Sequence, residues 1–265
     1  MALFLDLVME SFKKIAAQPK VVAANLLQLI PAALFFGVLL WLFGSLISTL
    51  NISIEDLFLS PETVAPKVAS QLDKIVSFFL FNALLLGAAV LAVVVVSIIV
   101  GALVNGTMLE SARQARGGSV SLAGAFEVAK SKTIPLVTTS LVVALLFLGL
   151  VVGVLVLSIV PILGTIVGFV LLAYVALRLY VVNAVVVFEG LSGVDAVKRS
   201  WAITQGSVWT VAGVLFTVGF SSVILSSVLN LVPVAGQLMD SLLQLLFFPT
   251  LTAFSAAEFY FSKAK

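Results

Sequence analysis

Few residues in this sequence could carry out chemistry, because most of the usual catalytic groups are missing. The 265 residues include no histidine and no cysteine, which excludes thiolate nucleophiles, imidazole bases and Cys/His metal sites. Intramembrane aspartyl proteolysis needs two facing aspartates, and Asp240 is the only aspartate within an apolar segment. A phosphate-binding glycine loop is also missing. The sequence therefore predicts a protein that is not an enzyme and that uses no metal and no cofactor.

Arg178 is the strongest candidate for binding a charged ligand. It lies within an apolar segment, where a guanidinium costs about 2.5–3.5 kcal/mol unless it is paired or hydrated, and arginine cannot escape that cost by deprotonation. On a continuous helix, Tyr174, Arg178 and Glu189 would share one face. Two interpretations stay open: a structural pairing of Arg178 with a carboxylate or helix-end carbonyls, and a site for an anion or a lipid headgroup.

A second candidate site consists of three glutamates, each of which lies at the end of a long apolar segment. If Glu110, Glu189 and Glu258 converge near the cytoplasmic face, their carboxylates could bind a cation or a proton. Alternatively, each glutamate only marks the point at which its segment meets water.

The composition indicates what surrounds these residues. The chain is 62% hydrophobic and 10% charged, with a mean hydropathy of +1.28, whereas a soluble domain carries about 25% charged residues. This excludes a soluble globular enzyme and a disordered chain, and it predicts a multi-pass membrane protein with the lipid bilayer as its main partner. The net charge of +2 gives no reason to expect a nucleic acid partner.

The uncharged segments predict an all-α protein with six transmembrane helices in a single membrane domain over 1–265. A span needs about 20 apolar residues, so the 45 uncharged residues 133–177, about 68 Å as one helix, must fold back. Pro161 and Pro233 supply the breaks within the two longest segments. The predicted spans are 20–50, 70–109, 134–159, 161–188, 206–230 and 235–260.

The distribution of basic residues predicts the orientation. Of the 14 Lys and Arg residues, 11 flank one side of the spans and two flank the other, while Arg178 lies within a span. Because the basic side is usually cytoplasmic, both termini are predicted to be cytoplasmic. The acidic insert 51–74 is then extracytoplasmic. The first residues lack the features of a cleavable signal peptide.

The chain also predicts three repeated helix pairs, with units 1–118, 119–190 and 191–265. Val160–Gly164 and Val232–Gly236 have similar sequences 72 residues apart, and each unit begins with a basic amphipathic segment. Such segments are predicted to lie at the cytoplasmic interface, either as anchors or as a platform for lipid or a cytosolic partner.

Small residues recur one helical turn apart and predict close helix packing. The pairs are Gly149 with Gly153 in span three and Gly164 with Gly168 in span four. A homodimer contact is the alternative use of these glycines. Pro31 and Pro249 are expected to kink spans one and six.

One part of the chain resembles a known family. The matching residues are Arg178-Leu179-Tyr180, Val186–Gly190, Ala196–Trp201 and Gly206–Trp209, with Val232–Gly236 and Pro249 further on. They resemble the six-span membrane domain of glycerophosphoryl diester phosphodiesterases and its stand-alone prokaryotic relatives. Since catalysis in the fused proteins belongs to a separate soluble domain, the resemblance implies an accessory role in a prokaryotic plasma membrane.

Two functions remain after this reasoning. The first is a non-catalytic accessory or lipid-interacting helix bundle, with a bound lipid and with a homodimer or an unidentified membrane partner. The second is a secondary transporter or channel for a small solute. Such a protein usually needs several polar residues within its spans, and this chain has few of them. Liposome flux measurements would separate the two functions.

The orientation can be tested by thiol labelling in this cysteine-free background. We expect a membrane-impermeant maleimide to label Ser60→Cys from outside intact cells and to leave Ser119→Cys unlabelled until the membrane is permeabilised, because only the insert faces outward. The opposite labelling pattern would reverse the predicted topology.

Overall fold

A computed structural model describes residues 2–52, 66, 68–158, 162–232 and 234–264 of the chain. Within these residues every regular element is a helix. The α-helices are α1 (Ala2–Ala17), α2 (Leu29–Thr49), α3 (Leu72–Arg116), α4 (Leu122–Ser131), α5 (Thr133–Leu157), α6 (Leu163–Arg178), α7 (Val182–Glu189), α8 (Gly193–Ile203), α9 (Val208–Leu229), α10 (Ala235–Leu242) and α11 (Phe248–Lys263). A 3₁₀-helix, Pro19–Gln28, precedes α2, and a π-helix, Leu243–Phe247, joins α10 to α11.

The structure confirms the predicted all-α class with six membrane-spanning candidates. Among the described residues, six helical segments are long and apolar enough to cross a bilayer: Pro19–Thr49, Leu72–Arg116, Thr133–Leu157, Gly164–Glu189, Val208–Leu229 and Ala235–Lys263. The predicted bounds differ from these by a few residues at most positions and by seven at the end of α3, which continues to Arg116. The interfacial position of the amphipathic segments stays a prediction.

The described residues form two compact units. One comprises 1–27 and 101–265, and the other comprises 28–100. In the smaller unit, α2 and the first part of α3 expose most of their large apolar side chains, including Phe36, Leu40 and Leu84, as helices in contact with lipid do. The single membrane domain stays a prediction.

The larger unit contains the main core. Helix α1 packs against α9 and α11, and α5 packs against α6 and α8. The core consists mainly of aliphatic and aromatic side chains from α1, α3, α7, α9 and α11, with Leu136 from α5; among them are Val185, Val186, Val211, Phe254 and Phe259. These side chains hold in place the helix ends that carry the charged residues.

Ile162 and Val234, which are 72 residues apart, have the same backbone conformation. Ile162 has φ 66° and Val234 has φ 60°, a region that is unfavourable for β-branched side chains. Two residues later, a Cβ on Gly164 would collide with the carbonyl of Leu157, and a Cβ on Gly236 would collide with that of Leu229. Only glycine fits at these two positions. Val160, Pro161 and Pro233 lie outside the described residues, and the threefold repeat stays a prediction.

Three of the six segments are not continuous α-helices. The first begins as a 3₁₀-helix, the fourth breaks at Leu179–Val181, and the sixth contains the π-helix two residues before Pro249. The fully buried Asn25 joins two of these irregular segments, since its amide donates to Leu246 O and to Thr250 Oγ1 at 2.7 Å. A buried amide of this kind fixes the two segments to each other by hydrogen bonds that need no backbone N–H.

The two glycine pairs differ in how closely they are packed. A Cβ on Gly168 would lie 2.5 Å from Val154 Cγ1, and Gly164 contacts the end of α5, as described above. In contrast, no heavy atom lies within 4 Å of a Cβ built on Gly149 or Gly153. The glycines of α6 therefore permit its close approach to α5, whereas the glycines of α5 have open space beside them.

This difference predicts unequal effects of the same substitution. Gly168→Leu should destabilise the protein by about 1–3 kcal/mol through overpacking against Val154. Gly153→Leu is the matched control, and it should have little effect on a monomer. Thermal unfolding in detergent measures both variants, and equal stabilities would contradict the close packing of α6 on α5.

Candidate functional site

Arg178 is the last residue of α6, and its backbone is fixed by helix α8. Its carbonyl oxygen accepts hydrogen bonds from Ser200 Oγ at 2.8 Å and from Thr204 Oγ1 at 3.2 Å. Both hydroxyl side chains are fully buried. They satisfy a carbonyl that the end of a helix would leave without a partner, so the break after Arg178 is stabilised from the neighbouring helix.

The guanidinium group of Arg178 lies against two aromatic rings that also contact each other. Its Nε donates to the hydroxyl of Tyr174 at 3.0 Å, and its Nη1 donates to the carbonyl of Trp201 at 3.2 Å. The Cζ atom lies 5.2 Å from the centroid of the Tyr174 ring and 5.0 Å from that of the Trp201 ring. Both distances are within the range of cation–π attraction. The arginine is only 8% exposed.

No carboxylate in the described part of the chain forms an ion pair with Arg178. The structure brings Tyr174 to Arg178, as the helical spacing predicts, but it does not bring Glu189 there. Glu189 instead accepts hydrogen bonds from Arg199 Nε at 3.0 Å and from Tyr260 at 2.8 Å. The reason is the break at Leu179–Val181. The prediction that Glu189 shares a face with Arg178 assumed one continuous helix from Tyr174 to Glu189.

A groove of about 580 Å³ opens beside the guanidinium. Arg178 and Tyr174 lie among its lining residues, and the remainder of the lining is apolar or glycine: Val170, Ala173, Leu177, Gly206, Val208 and Trp209. Trp209, in the first turn of α9, is 89% exposed. The groove therefore combines one positive charge with largely apolar walls.

The three glutamates of the second candidate site are neutralised separately. Glu110 pairs with Arg113 at 2.7 Å, Glu189 pairs with Arg199 at 3.0 Å, and Glu258 pairs with Lys14 at 2.6 Å. Among the described residues, no three acidic side chains are close enough to hold a metal ion. Each carboxylate has a basic partner of its own, so the structure does not bring the three together as a cation site.

Sequence reasoning missed the residues of α8 and α9 that complete the site around Arg178. Trp201 and Trp209 were among the residues that carried the family resemblance, but their spacing from Arg178 gave no reason to place them beside it. Ser200 was noted only within the segment Ala196–Trp201, and Thr204 belongs to no motif. The useful signal was the pair of tryptophans flanking a short polar turn, because tryptophan concentrates near membrane interfaces.

The fold and the site together define a multi-pass helical membrane protein in which a guanidinium without an ion-pair partner among the described residues lies next to an open groove. A family model described as sulfate transporter CysZ/etoposide-induced protein 2.4 matches residues 7–220, well over half of the chain. The chain therefore belongs to this family. No curated protein and no solved structure is similar enough to count as a match.

This membership corrects the family resemblance drawn from the sequence. The chain does not belong with the membrane domain of glycerophosphoryl diester phosphodiesterases. Several of the residues that suggested it, including Arg178, Ser200 and Trp201, build a broken helix and its hydrogen bonds. Residues that stabilise a local structure of this kind can occur in unrelated families, so the pattern does not identify the family.

The ion pairs near the core suggest a test of stability. Glu258 is buried and accepts from Lys14 at 2.6 Å, with Arg116 Nη1 3.7 Å from its second oxygen. Glu258→Gln should lower the free energy of unfolding by about 1.5–3 kcal/mol, the usual worth of a hydrogen bond to a charged group. The exposed Glu127→Gln is the control. If both variants unfold at the wild-type temperature in detergent, the cluster does not stabilise the core.

Proposed function

We propose that this protein moves a small inorganic oxyanion of the sulfate class across a membrane, as a secondary transporter or channel. The family description, which names a sulfate transporter, favours transport over a purely accessory helix bundle. The proposal includes no step that makes or breaks a covalent bond, in agreement with the scarcity of catalytic residues in the sequence.

The observation that carries the proposal is the unpaired guanidinium of Arg178. Arginine has five N–H groups, of which Nε and Nη1 donate to Tyr174 and Trp201. The remaining donors can bind a tetrahedral oxyanion, for which guanidinium is well suited because it offers several N–H groups in one plane and stays charged. The aromatic rings attract the cation without cancelling its charge.

Neutral polar groups elsewhere in the larger unit support a path for a partly dehydrated ion. Asn105, Tyr180, Asn183 and Thr252 line a second cavity of about 260 Å³. Amide and hydroxyl groups can replace hydration water around an anion by donating hydrogen bonds. This cavity lacks a charged lining residue among those described, so an ion would be bound there less tightly than beside Arg178.

The proposed setting is the plasma membrane of a prokaryote, with both termini cytoplasmic. The support is the excess of Lys and Arg residues on one side of the spans. Lys14 and Lys263, near the two ends of the chain, both belong to that basic side. A measurement of the oligomeric state in lipid tests the proposed homodimer or complex with another membrane partner.

Transport of radiolabelled sulfate into liposomes tests the function and the role of Arg178. Arg178→Leu should reduce the flux about tenfold or more, since a hydrogen bond to a charged group is worth about 1.5–3 kcal/mol. Arg199→Leu is the matched control, because it removes the same charge from a residue that Glu189 already neutralises.

The comparison of three proteoliposome preparations decides the outcome. Wild-type flux above that of empty liposomes, with a selective loss in Arg178→Leu, would support the proposal. If the wild-type protein carries no sulfate, the transport function is wrong. If Arg178→Leu and Arg199→Leu lose flux equally, Arg178 is not the binding residue.

A further inference from the structure

The groove beside Arg178 is larger and more apolar than an inorganic oxyanion requires. Its volume of about 580 Å³ is within the range of pockets that enclose organic ligands. A tetrahedral ion bound to the guanidinium would leave Val170, Ala173 and Leu177 without a partner. The walls therefore indicate a ligand that has an anionic end and a hydrocarbon part.

The groove runs from the charge along helix α6. Val170 precedes Arg178 by eight residues, which corresponds to about 12 Å along a helix. Val170 is 64% exposed, so this end of the groove is open at the protein surface. A ligand with its charge at Arg178 could extend its hydrocarbon part over this distance without meeting a second charged residue among those that line the groove.

The charged end of the groove has the features of a membrane interface. Gly206, Val208 and Trp209 belong to the turn and the first residues of α9, and the exposed indole of Trp209 is of the kind enriched at headgroup level. Basic pockets between transmembrane helices also bind phosphate-containing headgroups on the cytoplasmic side. The phosphate of a phospholipid at this level would lie within reach of Arg178.

The charge of the groove favours an anionic lipid over a zwitterionic one. Arg178 can pair with a phosphodiester, because no described carboxylate neutralises it. The ammonium group of a zwitterionic lipid would find no acidic side chain among the described residues that line the groove. A lipid whose only charge is its phosphodiester avoids this unpaired positive charge.

We propose that the groove binds an anionic glycerophospholipid, with its phosphodiester on Arg178 and an acyl chain along Val170, Ala173 and Leu177. This inference rests on the proposed oxyanion site, since a phosphodiester and sulfate present similar tetrahedral oxygens to the same guanidinium. The lipid therefore competes with the inorganic oxyanion, and the anionic lipid content of the membrane regulates occupancy of the site.

Two substitutions separate the lipid from the inorganic ion. Ala173→Trp fills the apolar groove and leaves Arg178 in place, so it should abolish lipid binding and retain sulfate binding. Arg178→Leu should abolish both, while Arg178→Lys should retain part of each because it keeps the charge. Ala176→Trp is the matched control, because Ala176 is exposed on the same helix and is not among the residues that line the groove.

Native mass spectrometry measures lipid binding after delipidated, monodisperse protein is mixed with phosphatidylglycerol or phosphatidylcholine. We expect phosphatidylglycerol to bind wild-type protein and Ala176→Trp at least about tenfold more tightly than phosphatidylcholine, a difference equivalent to about 1.4 kcal/mol. Equal affinities for the two lipids, or unchanged phosphatidylglycerol binding in Ala173→Trp, would overturn the proposal.

A sulfate binding measurement with added phosphatidylglycerol tests the competition. The lipid should weaken sulfate binding to the wild-type protein and leave it unchanged in Ala173→Trp. If sulfate binds and the lipid has no effect on it, the site takes an inorganic oxyanion only and the lipid inference is wrong. If phosphatidylglycerol binds selectively and sulfate does not bind, the transport proposal fails while the lipid site stands.

Discussion

A charge within the apolar part of this protein has to be stabilised by groups a few ångströms away, because neither lipid nor a close-packed core can solvate it. Three glutamates meet this requirement with counter-charges: Glu110 with Arg113, Glu189 with Arg199, and Glu258 with Lys14 and Arg116. The pairs made by Glu258 connect α1, α3 and α11, and they add to the apolar packing of α1 on α9 and α11. The same pairings also explain why three glutamates at similar positions in the chain do not form a shared cation site.

Arg178 meets the requirement in a different way, and the difference depends on a break in the helix. Since α6 ends at Arg178 and α7 begins at Val182, the carbonyl of Arg178 is free to accept from Ser200 and Thr204. The same helix, α8, supplies the ring and the carbonyl of Trp201 to the guanidinium. One short amphipathic helix therefore fixes both the backbone and the side chain of the residue. In a continuous fourth helix the carbonyl of Arg178 would instead accept from the backbone N–H of Val182.

The sequence was sufficient to predict the six apolar helices because that prediction requires only length and composition: a segment without charges that exceeds the bilayer thickness must be a span or a pair of spans. It was not sufficient for the site. No proline or glycine marks the break at Leu179–Val181, so Glu189 was placed on the face of Arg178, where the structure does not put it. Gly149 and Gly153 have the same spacing as Gly164 and Gly168, yet only the α6 pair is packed closely. The spacing of residues along one helix does not show which other helix packs against it. The tryptophans beside Arg178 belong to such neighbouring helices, Trp201 to α8 and Trp209 to α9.

The way in which Arg178 is stabilised determines whether its guanidinium can still attract an anion. A carboxylate partner would have neutralised the guanidinium and removed most of its attraction for an anion. Tyr174 and Trp201 instead attract the cation through their ring faces and accept two of its hydrogen bonds, and neither group carries a negative charge. The site therefore keeps its full positive charge while the desolvation cost of the arginine is partly offset. Because the groove beside it is apolar and weakly screened, that charge acts strongly on any oxyanion that enters, and the largest gain goes to a ligand that also covers the apolar walls.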